Sequence, residues 1–120
     1  MTLAEIVRQL DLTILTPLPE VDQEVSSGYA SDLLSDVLGK ASAGAIWVTL
    51  QCHPNVIAVA SLLNLAAVLI VGGSMPEETT LARAREASVS VLATRLSAFE
   101  IVGRLYQLGI RGDAASCVDG

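Results

Sequence analysis

The sequence predicts a three-layer α/β domain with a mainly parallel central sheet. Three observations predict it. Short β-branched runs alternate with helical runs along the chain. They are joined by connections of about 2–6 residues, the pattern of parallel strands with right-handed crossovers. Capping-box spacing occurs at Thr2/Glu5, Ser74/Glu77 and Ser97/Glu100, each time at the start of a helical run. From Ala41 to Pro76 there is no Asp, Glu, Lys or Arg, as expected where strands are covered on both faces.

Leu3 to Leu10 reads as a helix capped by Thr2, with Glu5 completing the box. Leu12 to Leu15 is a short strand that stops at Thr16-Pro17, and the polar, proline-bearing run to Gln23 is a connection. Val25 to Tyr29 is a second strand. Ser31 caps a helix over Asp32 to Lys40, with Leu33, Leu34, Val37 and Leu38 on one face. Gly44 breaks the chain before a buried strand, Ile46 to Leu50. Pro54 and Asn55 then start a helix over Val56 to Leu65, apolar almost all round and expected to be well buried. Ala67 to Val71 is a strand and Gly72-Gly73 a turn. Ser74, Pro76 and Glu77 open a helix that runs to about Ala87. Val89 to Ala93 is the last strand. Ser97 and Glu100 open the last helix, which stops at Gly109. The organisation expected is one domain over residues 1–110 and a C-terminal tail over 111–120, with no internal repeat, low-complexity tract or linker.

Composition narrows the function. The 120 residues carry 13 acidic and 7 basic side chains, a formal charge of −6; 52% are apolar and 3% aromatic. Such a chain has ample aliphatic surface to bury and is not disordered by composition. It lacks the basic face or stacking aromatics of a nucleic-acid reader. The longest apolar run, Val56 to Val71, is interrupted only by Ser61 and Asn64. It falls short of the roughly 20 residues a membrane span requires, so no membrane partner is expected. Cys52 and Cys117 do not make a disulfide framework, and the N-terminus has no basic region followed by an apolar block. A reducing cytoplasm is therefore the expected setting.

Several stretches carry residues suited to chemistry. Gly39-Lys40 is followed by Ala41 and falls at a helix end, so it is not a phosphate-binding loop. Gly72-Gly73-Ser74 lies between strand and helix, where backbone N–H groups can hold an anion. Glu77 and Glu78 at the same helix start oppose one, and a tight turn is the simpler reading. Gln51-Cys52-His53-Pro54-Asn55 is the most concentrated polar stretch, and His53 is the sole histidine. Cys52 and His53 are adjacent, so their side chains point apart and make a poor nucleophile–base pair. Metal-ligand spacing is absent. The simpler reading is that His53 and Asn55 satisfy loop backbone groups. Asp32 and Asp36, one helical turn apart, read as a solvated acidic face. The tripeptide Arg111-Gly112-Asp113 reads as chance.

The loops that follow the strands are nonetheless where open α/β sheets place ligands. Gly28, Tyr29 and Asp32, then Gln51, His53 and Asn55, then Gly72, Gly73 and Ser74, then Thr94, Arg95 and Ser97 form a candidate rim for a small polar or anionic ligand. Arg95 is its one cation, suited to a carboxylate or phosphate.

The residues also resemble a known family. Gly28-Tyr29-Ala30-Ser31-Asp32-Leu33-Leu34-Ser35-Asp36-Val37-Leu38 is similar to the GYxSDLLSDVM signature of small bacterial DRTGG-domain proteins. Trp47 to Ala60 resembles a WITIQxHxNIVAVA-like segment of the same proteins. Val91 to Glu100 resembles the PVLxTxLSTFE ending shared with the N-terminal domain of HPr kinase/phosphorylase. The similarity runs from about Leu3 to Ile110. It implies a Rossmann-like α/β domain that accompanies CBS domains in some regulated pyrophosphatases and is regulatory or dimer-forming there. The kinase activity of that family sits in a separate P-loop domain, and this chain has no P-loop. Ile70-Val71-Gly72-Gly73-Ser74 fills the place of the literal D-R-T-G-G string, and Cys52 stands where the family pattern has Thr.

The expectation is a non-catalytic regulatory or protein-interaction module, a homodimer with room for a further protein partner, needing no cofactor or metal. An apolar, aromatic-poor chain gains by burying one exposed helix face twice in a twofold dimer. The competing expectations are a small enzyme using His53 as general base, with Asp32 or Arg95 nearby, and a redox or metal partner through Cys52 and His53.

Overall fold

The computed structural model describes residues 1–112. The tail expected over 111–120 falls outside the described residues from position 113 onward, and Asp113 and Cys117 lie there too. In chain order the elements are α1 (Leu3–Leu10), β1 (Thr13–Ile14), β2 (Ser27–Ala30), α2 (Leu34–Lys40), β3 (Ala45–Thr49), α3 (Asn55–Leu63), β4 (Ala67–Ile70), α4 (Glu78–Ala87), β5 (Val91–Ala93) and α5 (Ala98–Gln107). They build one sheet in the order β1-β5-β4-β3-β2. The pairs β2·β3, β3·β4 and β4·β5 are parallel, and β1 runs antiparallel to β5. This is the three-layer, mainly parallel α/β architecture that the alternation predicts.

Two cores fix the layers. On one face Leu3 and Ile6 of α1 and Ile101 and Leu105 of α5 pack on Ile46, Val48, Leu69 and Leu92. On the other, Val37 of α2, Val56 and Ala60 of α3 and Ala84 of α4 pack on Trp47, Val68, Ile70 and Val91. Successive strand residues feed opposite cores, the period of two that a sheet requires. Every residue of β3 and β4 is buried, which explains the charge-free sequence there. The side chain of Trp47 is fully enclosed, and its Nε1 donates to the Ser31 carbonyl at 2.8 Å.

The helix starts separate into those that hold and those that move. At α1 the box closes in both directions: Glu5 N donates to Thr2 Oγ1 and Thr2 N to Glu5 Oε1. At α5, Ser97 Oγ accepts from Glu100 N at 3.2 Å. At α4 the expected cap fails. Ser74 would make Met75 the first helical residue, but Met75 precedes Pro76, which disfavours helical backbone there. The helix starts only at Glu78, with Glu77 in the cap position and no side-chain cap. The Ser31 cap fails as well. Its hydroxyl accepts from Leu33 N in a local turn, Asp32 is drawn to β3, and α2 begins at Leu34. Leu33 and Leu38 are exposed rather than packed. The helix expected to be buried all round, α3, shows Ala58, Ser61 and Leu62 to solvent.

The first and last strands are shorter than expected. β1 keeps two residues and β5 three. Beyond β1 the Thr16 side chain takes over the pairing, donating to Val89 O and accepting from Val91 N, both at 2.8 Å. No helix among the described residues is long and apolar enough to cross a membrane.

Candidate functional site

Because β2 to β5 are parallel, the loops that follow them share one edge of the sheet. Asp32 follows β2, Gln51, His53 and Asn55 follow β3, Gly72 to Ser74 follow β4, and Thr94, Arg95 and Ser97 follow β5. Gly28 and Tyr29 lie within β2 itself. The rim residues are thus on one edge but spread along it. With strands about 4.8 Å apart, Asp32 and Arg95 leave the sheet roughly 14 Å from each other.

Most of the polar groups on this edge bond one another. Asp32 Oδ1 accepts from Thr49 Oγ1 and from Leu50 N, each at 2.8 Å. Gln51 Nε2 donates back to the Asp32 carbonyl at 3.1 Å. These bonds join the end of β2 to the end of β3. Thr49 is a buried polar residue in an otherwise apolar strand, and that is the signal by which the sequence could have revealed the tie, since buried hydroxyls have partners.

The place where neighbouring crossovers diverge lies between β4 and β5. The chain leaving β4 goes to α4 on one face, and the chain leaving β5 goes to α5 on the other. Open α/β sheets form their ligand crevice at such a point. Here residues 94–97 run across the end of β4 and bridge it: Gly72 N donates to Leu96 O at 2.8 Å and Gly73 N to Thr94 O at 3.1 Å. Both glycines hold positive φ, 71° and 77°, which is what lets successive N–H groups reach the crossing chain. These amides therefore hold the protein's own carbonyls, so Gly72-Gly73 is a structural turn. Thr94 Oγ1 accepts from Leu96 N, fixing the same crossing.

His53 is exposed, and its Nδ1 accepts from Asn55 N at 3.1 Å. In the neutral ring that bond engages Nδ1 and places the proton on Nε2. Cys52 is half-buried, its thiol faces the Leu50 carbonyl at 3.6 Å, and burial pushes its pKa up. A thiol so placed is a poor nucleophile and metal ligand. Among the described residues no three His, Cys, Asp or Glu side chains gather to hold an ion. Arg95 and Ser97 are exposed; Arg95 stands beside the start of α5, where Ser97 is the cap.

A cleft of about 170 Å³ lies elsewhere, between β2 and α5. Gly28 and Tyr29 line it with Val48, Val102, Tyr106 and Arg111. Arg111 packs over the Tyr106 ring, 3.7 Å from its centroid, and its guanidinium donates to the Tyr106 carbonyl. Gly28 has a packing reason to lack a side chain, since a Cβ there would come 3.3 Å from Ile110. Its N–H donates to Arg111 O at 2.9 Å. The Tyr29 hydroxyl points away from this cleft toward α2 and donates to Asp36 Oδ2 at 2.7 Å. Neither Tyr106 nor Arg111 belongs to the rim expected from sequence.

No protein-family model matches the chain, and no curated protein sequence does. Among solved structures the fold is similar to a crystal structure of the CBS and DRTGG domains of the regulatory region of Clostridium perfringens pyrophosphatase, complexed with its activator, diadenosine tetraphosphate. The TM-score is 0.70 at 16% sequence identity, over 85% of this chain and 44% of that one. The chain thus spans less than half the length of that neighbour, and at this identity the likeness is one of fold, a mixed α/β domain.

Proposed function

We propose that this chain is a DRTGG-type regulatory or interaction module, without catalysis of its own, that self-associates and binds a small anionic ligand at the strand C-terminal ends. The observation that carries the reading is how the edge is wired. Asp32, Thr49, Gly72 and Gly73 are engaged in holding loops together, which suits a rigid surface and not a reacting one. Arg95 is an exposed cation of the edge, two residues before the Ser97 cap of α5, and its guanidinium favours an anionic ligand, with Glu100 of the first helical turn opposing it. A fold shared with part of a pyrophosphatase regulatory region supports the regulatory half of the reading. The distribution of cysteines supports a reducing, cytoplasmic setting.

Thermal-shift screening with nucleotides, acyl phosphates and sugar phosphates tests ligand binding. A ligand at a hundredfold excess over its Kd stabilises by about 2.7 kcal/mol, a rise of roughly ten degrees in midpoint for a domain of this size. Arg95→Ala should abolish the rise. If no member of the three classes moves the midpoint, the ligand half of the reading falls. Sedimentation of the purified chain at micromolar concentration tests self-association, and a clean monomer removes it. The enzyme alternative, with His53 as base, needs a free imidazole nitrogen facing a substrate, whereas Nδ1 is engaged by Asn55 N.

A further inference from the structure

We propose that the outer face of α5 is the surface on which two copies of this chain pair, with their α5 helices antiparallel about a twofold axis between Val102 and Gly103. The inference rests on the self-association proposed above and names the surface responsible.

α5 has two apolar faces. Ile101 and Leu105 are buried against the sheet. Phe99, Val102 and Tyr106 point outward at i, i+3 and i+7, and they are 92%, 38% and 56% exposed. Two of the four aromatic residues in the chain thus stand in solvent on one stripe. The spacing is that of a helix–helix seam. It is also nearly self-complementary. About an axis between positions 102 and 103, Phe99 of one copy meets Tyr106 of the other, and Val102 meets Gly103.

Gly103 supplies an independent reason. Glycine inside a helix lowers its stability, so its presence calls for a packing partner. Among the described residues a Cβ at Gly103 would meet nothing within 4 Å. No contact among the described residues explains the glycine, while a second helix crossing close to its backbone does. Charge agrees with the same occupant. Glu100 and Arg104 lie one turn apart on the helix and pair at 3.9 Å, with Glu100 bordering the stripe. In the antiparallel arrangement Glu100 of one copy is level with position 105 of the other, one residue past Arg104. A face carrying one charge of each sign pairs with itself without repulsion, although the whole chain is at −6.

The area is sufficient. The exposed parts of Phe99, Val102 and Tyr106 amount to roughly 350 Å² per copy, from the usual sizes of these side chains. Two copies would bury about 700 Å² of apolar surface. That is about the apolar share of an interface at the small end of specific dimers.

Sedimentation equilibrium of the full chain over the micromolar range tests this. Wild type should be a dimer. Phe99→Ser should weaken it roughly thirtyfold or more, as truncation of a central aromatic anchor does. Gly103→Ala, which favours the helix and so cannot fail by unfolding it, should weaken the dimer too. Leu62→Ser, an equally exposed apolar position on the opposite layer, should leave it unchanged. Phe99→Glu and Tyr106→Lys should each be monomeric alone and dimerise when mixed, because only the antiparallel register brings positions 99 and 106 together. A wild-type dimer that survives both Phe99→Ser and Gly103→Ala overturns the α5 surface and leaves self-association standing. A wild-type monomer overturns both.

Discussion

The Asp32 carboxylate is anchored to Thr49: one oxygen accepts from the Thr49 hydroxyl and from the next amide, Leu50 N, at 2.8 Å each. Thr49 Oγ1 in turn accepts from Gln51 N at 3.1 Å. With the bond from Gln51 Nε2 to the Asp32 carbonyl, three bonds join the segment after β2 to the end of β3. Asp32→Ala should cost about 2 kcal/mol, because it leaves a buried hydroxyl and an amide without their acceptor. Asp32→Asn keeps an oxygen in place and should cost less than half as much. Urea unfolding followed by Trp47 fluorescence measures both. Equal losses for the two variants would mean that charge, and not the shared acceptor, holds this corner.

The contact between Tyr29 and Asp36 sets a pH dependence. The Tyr29 hydroxyl is the main cause that holds the Asp36 pKa below the ordinary aspartate range, with Ser31 and Lys40 adding to it. Unfolded, Asp36 titrates near pH 4. A depressed native pKa means that the contribution is present above that value and is lost as pH falls through the native one. Tyr29 is shifted the other way: burial first, and then Asp36, raise its pKa. Its contribution is present below the ordinary tyrosine pKa, about 10, and is lost as pH rises through the raised value. Wild type should therefore exceed Tyr29→Phe in stability by a constant margin from about pH 5 to pH 9, and the margin should shrink on both sides. Chemical unfolding within that range and on both sides of it checks it. A margin unchanged at acid pH would remove Asp36 from the account.

Trp47 predicts a different loss. Its ring is fully enclosed among α2, α3 and β4 residues and its Nε1 bonds the Ser31 carbonyl. Trp47→Phe removes ring volume and a donor together, and should cost about 2–4 kcal/mol. Calorimetry is the suitable readout, since the variant loses its only indole.

Much of the layer structure was legible because each strand and helix is short and strongly patterned. The charge-free stretch from Ala41 to Pro76 holds β3, α3 and β4 in the order expected. What was not legible depended on contacts between distant residues. Met75 before Pro76 was a local signal against the Ser74 cap, outweighed by the apparent capping box. Asp32 looked like the first residue of a helix, and only its pull toward Thr49 delays α2 to Leu34. The rim was legible as an edge, since parallel strands end together. Its wiring was not. The crossing of β4 by residues 94–97 follows from α5 lying on the opposite face from α4, and sequence periodicity does not say which face a helix covers. For the same reason periodicity places Phe99 and Tyr106 in the last helix without saying that they face solvent.

Two glycines give opposite predictions for the same substitution. Gly44 has φ 81°, and an added Cβ would stand 2.8 Å from Ser26 Oγ. That hydroxyl donates to Ala43 O, and Gly44 N donates to Asn64 O, so the turn into β3 is held from two directions. Gly44→Ala should cost about 2–3 kcal/mol, combining left-handed strain with the loss of the Ser26 bond. In a Ser26→Ala background the clash with Oγ is gone and only the strain remains, so the same change should cost about half as much. Gly103 has helical backbone and open space. Gly103→Ala should raise the stability of the monomer by about 0.5–1 kcal/mol, measured at protein concentrations too low for pairing. Urea midpoints of the four variants, Gly44→Ala, Ser26→Ala, their combination and Gly103→Ala, separate backbone strain from steric conflict. A Gly44→Ala penalty unchanged by Ser26→Ala would assign all of it to the positive φ.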